Sequence, residues 1–178
     1  MTWKYIHYEG QRYKLDHLND FHFEAIQSAT QTKSKLRTEI KVTFGWHCYT
    51  RSPEQNETAQ IHRNERGEHR CFCPIRYEYS KRLSEIIKEL SERRVLQTGK
   101  GNYLTIEIVD HDGNKRDYEI YFTLRKQGKK KTLKLYVESA YLRDELAEAI
   151  RQKRRHQPIK FAILVYKVKN DQKIPYKR

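Results

Sequence analysis

Apolar residues return at every second position through several stretches of this chain, and at helical spacing through two others. Residues 39–49 put Ile40, Val42, Phe44, Trp46 and Cys48 on one side. Lys41, Thr43, Gly45, His47 and Tyr49 fall on the other, the period of a half-buried strand. With the Ile40 side as core, His47 points away from it. Residues 117–125 offer Tyr118, Ile120, Phe122 and Leu124 as a second apolar face, and 133–139 offer Leu133, Leu135 and Val137. Residues 103–109 set Leu104, Ile106 and Ile108 against Tyr103, Thr105, Glu107 and Val109. Asp112-Gly113-Asn114 and the basic run KQGKKK at 126–131 supply the turns between them. The three segments predict an antiparallel meander over 103–139.

The flanks are read the same way. Residues 3–15 form a hairpin about Glu9-Gly10, since glycine tolerates the positive φ of a tight turn. Phe21 and Phe23 alternate in a short strand over 21–26. Residues 27–37 are polar and small, and mark the internal boundary. Residues 51–69 make a long charged loop. Residues 70–79 alternate again, but Pro74 reduces them to an edge strand or an irregular segment. Ser80 is the expected N-cap of a helix over about 81–95, with Leu83, Ile86, Ile87 and Leu90 on one stripe. Two glycines within 97–102 end it. A second helix spans about 140–155, carrying Leu142, Leu146, Ala149 and Ile150, and Pro158 stops it. Residues 159–169 read as a last strand, because FAILVY at 161–166 is the longest apolar run. Asn170-Asp171 turns it into the tail. The fold class is therefore α+β, mainly antiparallel, in a single domain over 1–178 with an N-terminal hairpin appendage over 1–37.

Charge changes this picture. The net charge is +14. From Arg125 to the end there are 17 Lys and Arg against 5 Asp and Glu, a net of +12. One-sided basicity of that kind suits a polyanion, and a phosphate backbone above all. The alternative is a solvated, solubilising face. Lys129, Lys130 and Lys131, and Lys153, Arg154 and Arg155, are the densest clusters. No run approaches the roughly 18 apolar residues a spanning helix needs, so no membrane partner is expected. The opening MTWKYIHYEG has no apolar signal region. Three cysteines, an odd number, oppose a disulfide framework. A reducing, cytoplasmic setting is expected.

Candidate chemistry gathers between Phe44 and Ser80, which hold all three cysteines and three of the eight histidines. His69, Cys71 and Cys73 are the nearest thing to a zinc set. They lack a CxxC pair, and on a strand Cys71 and Cys73 would sit about 6–7 Å apart at Cα. No cofactor is expected; zinc is the alternative. His47 can take a proton from a ribose 2′-hydroxyl or return one to a leaving oxygen. Arg51, Arg70 or Arg76 can hold the phosphate. Glu138 and Tyr141, at the end of the meander, can assist. Against this stands an ordinary solvated sheet face with cross-strand pairs. Tyr103, Tyr118, Tyr121 and Tyr136 stud the meander, and aromatic residues among basic ones can stack bases.

A helix over 81–94 followed by strands at 103–109, 117–125 and 133–139 resembles the metal-independent ribonuclease toxins of the barnase/RelE kind. That resemblance covers roughly residues 70–140. It implies RNA cleavage by side chains on a small sheet, without metal. The chain departs from the simplest form by carrying its histidine before the helix. The sequence thus yields two expectations. The first is an RNA- or single-strand-binding protein that cleaves by His47, Arg76, Glu138 and Tyr141. The second is a non-enzymatic accessory module, of a phage or mobile element, that binds nucleic acid or protein.

Overall fold

Hydrogen-bonded ladders dominate the computed structural model, which describes residues 5–27, 36–58, 67–97, 102–109, 113–128, 132–143 and 158–174. The strands are β1 (Tyr5–Tyr8), β2 (Gln11–Lys14), β3 (Phe21–Gln27), β4 (Leu36–His47), β5 (Thr50–Arg51), β6 (Cys71–Phe72), β7 (Arg94–Gln97), β8 (Asn102–Val109), β9 (Lys115–Gln127), β10 (Thr132–Leu142) and β11 (Pro158–Lys160). The helices are α1 (Pro74–Ser80), α2 (Leu83–Lys88) and α3 (Phe161–Lys169), with 3-10 turns at Asp16–Leu18 and Glu89–Glu92. The class is α+β.

Seven strands make one sheet in the order β11-β7-β8-β9-β10-β4-β3. The β8–β9–β10 meander is antiparallel, as its turns predict. The sheet as a whole is mixed, because β4 lies parallel to β10. No tight turn joins these two, so nothing local forces them to run in opposite senses. One sheet face carries Ile40, Val42, Phe44, Tyr118, Ile120, Phe122, Leu124, Leu133, Leu135 and Val137, all buried. Leu83, Ile86, Ile87 and Leu90 join the same core, as do Phe161, Leu164 and Val165. Phe161 meets Phe23 and Phe122 ring to ring. The alternation in β4, β9 and β10 therefore marks the helix-covered side correctly.

The N-terminal hairpin turns at Glu9 (φ 47°) and Gly10 (φ 74°), the two positive φ values of a type I′ turn. Tyr8 and Tyr13 pack on Phe72, at 5.1 and 4.7 Å between ring centroids. The Tyr77 hydroxyl donates to the Lys14 carbonyl at 3.0 Å.

Three helical expectations need correction. Helix formation begins at Pro74, not after Ser80. Proline at the first helical position loses nothing, since that N–H has no intrahelical partner, and Cys73 is extended before it. Ser80 closes α1 instead of capping a helix, and its hydroxyl donates to the Tyr77 carbonyl at 2.7 Å. Where the helix was expected to run out, residues 94–97 form β7, which buries Val95 and Gln97. Residues 140–142 continue β10 and do not open a helix; residues 144–157 lie outside the described residues. Finally, 161–169 is helix, not strand. Phe161, Leu164 and Val165 share one buried stripe while Ile163 is exposed, a period of 3.6 hidden inside a continuous apolar run. Asn170 and Asp171 do turn the chain. Asp171 has φ 53°, with Gln172 N–H on Lys167 O and Asp171 N–H on Val168 O, at 2.9 and 3.3 Å. That is the paired bonding of a Schellman cap.

Candidate functional site

β4 stops at His47, where the chain turns through Cys48 and Tyr49, while its neighbour β10 continues to Leu142. The uncovered end of β10 is met by Arg76 of α1. Arg76 Nη1 donates to the carbonyls of His47 (3.2 Å) and Thr50 (2.8 Å). Its guanidinium lies 5.0 Å from the Tyr141 ring centroid. Arg70 holds the same turn, with Nε on Thr50 Oγ1 (3.2 Å), Nη2 on Thr50 O (3.1 Å) and Nη1 on Ser52 Oγ (3.1 Å). Arg51 forks onto Glu57 at 2.5 and 2.9 Å, and that pair holds the Glu57 carboxyl down at about 2.

His47 is half-buried and its ring stacks on Trp46. Its Nε2 lies 3.3 Å from Glu68 Oε2. Burial lowers its pKa below the ordinary 6.5, and the positive charge of Arg70 lowers it further, against the pull of Glu68. The imidazole is thus neutral near pH 7. In contrast, burial pushes the neighbouring Cys48 thiol up to about 12.

A β-bulge between Val137 and Ser139 changes which side chains face out. Glu138 falls in the bulge and is exposed, with no hydrogen bond or ion pair among the described residues. Beyond it, Ser139 lies opposite both His47 and Tyr121, and Tyr141 opposite Glu119. The Tyr121 and Tyr141 rings stack at 5.7 Å. Glu119 is fully buried on this side. It accepts from the Tyr121 hydroxyl (2.6 Å) and from Arg143 Nε and Nη2 (2.9 and 2.6 Å). Arg143 also reaches Asp117 at 3.0 Å. Burial and the Glu119 bond both raise the Tyr121 phenol.

The structure therefore brings His47, Arg70, Arg76 and Tyr141 together and leaves Glu138 apart. The carboxylate on His47 is Glu68. Neither Glu68 nor Glu119 was legible as a partner, because an acid in a polar loop or on a polar strand face reads as solvated. His69 is exposed, Cys71 buried and Cys73 half-buried. No group of three or more metal-ligating side chains occurs among the described residues. Lys129, Lys130, Lys131, Lys153, Arg154 and Arg155 lie outside the described residues.

A second feature occupies the sheet face away from the helices. In the ladder, Arg125 of β9 lies opposite Lys134 of β10, and Lys134 opposite Lys41 of β4. Three cations thus form a row across three strands. Lys41 pairs with Asp20 at 3.1 Å. Arg125 and Lys134 have no carboxylate partner among the described residues. Together with Gln127 and Tyr136 they line an open depression of about 290 Å³. Of the four tyrosines singled out in the meander, Tyr121 and Tyr136 belong to this face. Tyr118 is fully buried in the core; the Tyr103 side chain is outside the described residues.

The YjaZ family model matches residues 5–169, from the first hairpin through α3. The chain belongs to the YjaZ family. The protein YjaZ of Escherichia coli K12 is 31% identical over 147 residues, covering 80% of this chain and 77% of that relative. No solved structure matches. Both the arginine-bound turn and the cationic row fall within the YjaZ match, so both belong to the part of the chain that the family defines. In this YjaZ-family chain no helix among the described residues is long and apolar enough to cross a membrane.

Proposed function

We propose that the protein binds RNA or another single-stranded nucleic acid through the open face of its sheet. The supporting observation is the row Arg125–Lys134–Lys41, two of whose cations lack a carboxylate partner among the described residues. Unneutralised cations side by side on a strand face repel one another and favour an anionic ligand. The net charge of +14, concentrated after residue 124, acts in the same direction. The free thiols of Cys48, Cys71 and Cys73 suit a reducing, cytoplasmic setting.

Cleavage is the second reading. It is favoured by the convergence of His47, Arg76 and Tyr141, and by an imidazole neutral enough to accept a proton. It is weakened because Arg51, Arg70 and Arg76 all spend donors on protein acceptors. A phosphate would have to compete with those bonds. Binding therefore ranks ahead of catalysis.

The test is fluorescence anisotropy with labelled single-stranded RNA over a salt series, with the same samples run on denaturing gels. Binding that falls steeply with salt and leaves the RNA intact is the expected result. No binding to RNA or DNA at about 50 mM salt, where phosphate contacts are strong, overturns the proposal. Cleavage that disappears in His47→Ala would put the enzymatic reading first.

A further inference from the structure

We propose that Tyr136, whose hydroxyl end lies against Gly45, is a stacking platform for one unpaired base, with Arg125 and Lys134 holding the adjoining phosphates. This deepens the nucleic-acid reading and rests on it.

Tyr136 pairs with Thr43 across the β10–β4 ladder, and Gly45 lies two residues further along β4. A Cβ built on Gly45 would lie 2.5 Å from the Tyr136 hydroxyl oxygen, 2.9 Å from the Glu138 carbonyl oxygen and 3.1 Å from the Tyr136 Cζ. The far end of the ring thus rests on the backbone of the next strand. A tyrosine standing upright from β10 would carry its hydroxyl away from the sheet instead. Glycine inside a strand costs conformational entropy and supplies no side chain to pack. Here it leaves room for the Tyr136 hydroxyl end and for the Glu138 carbonyl, both of which a Cβ would crowd. Tyr136 is half-buried. It lines the depression together with Arg125, Gln127 and Lys134.

A volume of about 290 Å³ is at the lower limit of pockets that enclose whole small ligands, roughly 300–1,000 Å³. An open site of that size suits one unit of a chain passing over it. The Lys134 ammonium is 6.0 Å from the Tyr136 ring centroid, so cation and ring are adjacent, as a base and its phosphate are. Base–aromatic stacking needs an exposed base face, which a single strand offers and a duplex does not. The ligand class is therefore an unpaired nucleobase flanked by phosphodiesters, and RNA and DNA arms of one sequence separate the two sugars.

Four variants and three probes test this. The probes are oligouridylate, an abasic phosphodiester oligomer of equal length, and a duplex of equal charge. Tyr136→Leu should weaken oligouridylate binding by about tenfold or more, the effect of losing one stacked base, and leave abasic binding unchanged. Tyr136→Phe keeps the ring and should bind like the wild type. Gly45→Ala should behave like Tyr136→Leu; if it fails to fold, the Leu and Phe pair still decides. Arg125→Gln/Lys134→Gln should weaken all three probes. If Tyr136→Leu binds oligouridylate normally while the Arg125/Lys134 variant is weakened, the platform is wrong and the binding reading stands. If the wild type binds none of the probes, both fall together.

Discussion

At the scale of single residues, Arg76 shows how a side chain can belong to the framework and look like a site. The His47 carbonyl at the end of β4 and the Thr50 carbonyl of β5 both have Arg76 Nη1 as a donor. Bonds to a charged group contribute about 1.5–3 kcal/mol each, and buried acceptors left without a donor cost more than the bond alone. Arg76→Ala should lower the unfolding free energy by about 2–4 kcal/mol, read from urea titration. Unchanged stability with altered nucleic-acid handling would make Arg76 a ligand-contacting residue instead. His17 gives a second measurable effect. The Ser80 hydroxyl donates to the Tyr77 carbonyl, so His17 Nε2, 2.7 Å away, must be the donor to Ser80 Oγ. Burial lowers the His17 pKa below 6.5 and Lys81 lowers it further, while Asp16 and Glu78 oppose them. A depressed histidine pKa means that the unfolded chain binds more protons just below pH 6.5. Stability is then complete above 6.5 and is lost as pH falls toward the folded value. His47 is shifted in the same direction, so His17→Gln should reduce this acid-side loss without abolishing it. Urea midpoints across a pH series would show it; an identical pH profile in the variant would refute the assignment. Residue-scale chemistry was legible where alternation alone fixed a direction, as for His47. It was hidden where burial came from partners distant in sequence, as Arg143 buries Glu119.

At the scale of elements, period two was legible in the long strands, and period 3.6 was legible in the Leu83–Leu90 stripe but not in 161–169. β4, β9 and β10 each present a core face at alternate positions, and Ile40, Val42, Phe44, Tyr118, Ile120, Phe122, Leu124, Leu133, Leu135 and Val137 are buried as the alternation marks; Glu119 and Thr43 are buried on the other side. In 161–169 a continuous apolar run fits either period, and only packing on Phe23 and Phe122 decides it. A strand would group Phe161, Ile163 and Val165 on one face; the helix buries Phe161, Leu164 and Val165 and exposes Ile163. Two substitutions separate these geometries. Leu164→Ala should cost about 2–5 kcal/mol, the range for emptying a buried leucine site. Ile163→Ala should stay within about 0.5 kcal/mol of the parent, as exposed positions do. Equal costs at both positions would contradict the helix. Pro74 was misread for a related reason. Proline is a breaker inside either element but a natural first residue of a helix, and its meaning depends on whether Cys71–Phe72 continues. It stops after two residues: one more bond, from Cys73 N–H to Tyr49 O at 3.0 Å, precedes the first helical residue, Pro74.

At the scale of the molecule, the question is whether basicity acts as a diffuse field or through one face. Among the described residues, the core-facing side of the sheet is closed by α2 and α3, and the side of Arg125, Lys134 and Tyr136 carries the open depression. Salt dependence can tell the two apart, because each phosphate neutralised by a cation releases counterions. For single strands the slope of log K against log salt is about −0.7 per contact. Removing two contacts with Arg125→Gln/Lys134→Gln should therefore make the slope shallower by about 1.4. Arg82→Gln/Lys88→Gln is the matched control. It removes the same charge from exposed positions beside α2, whose apolar stripe is turned into the core. A field without a site would respond alike to both pairs, since at physiological salt either loss is screened over about 8 Å. A face would respond to the first pair and barely to the second. Neutralising Lys129, Lys130 and Lys131 together extends the series, since those residues follow directly on β9 in the sequence. A slope change as large as that of the sheet pair would add the turn to the binding face. No change would leave the phosphate contacts on the strands alone.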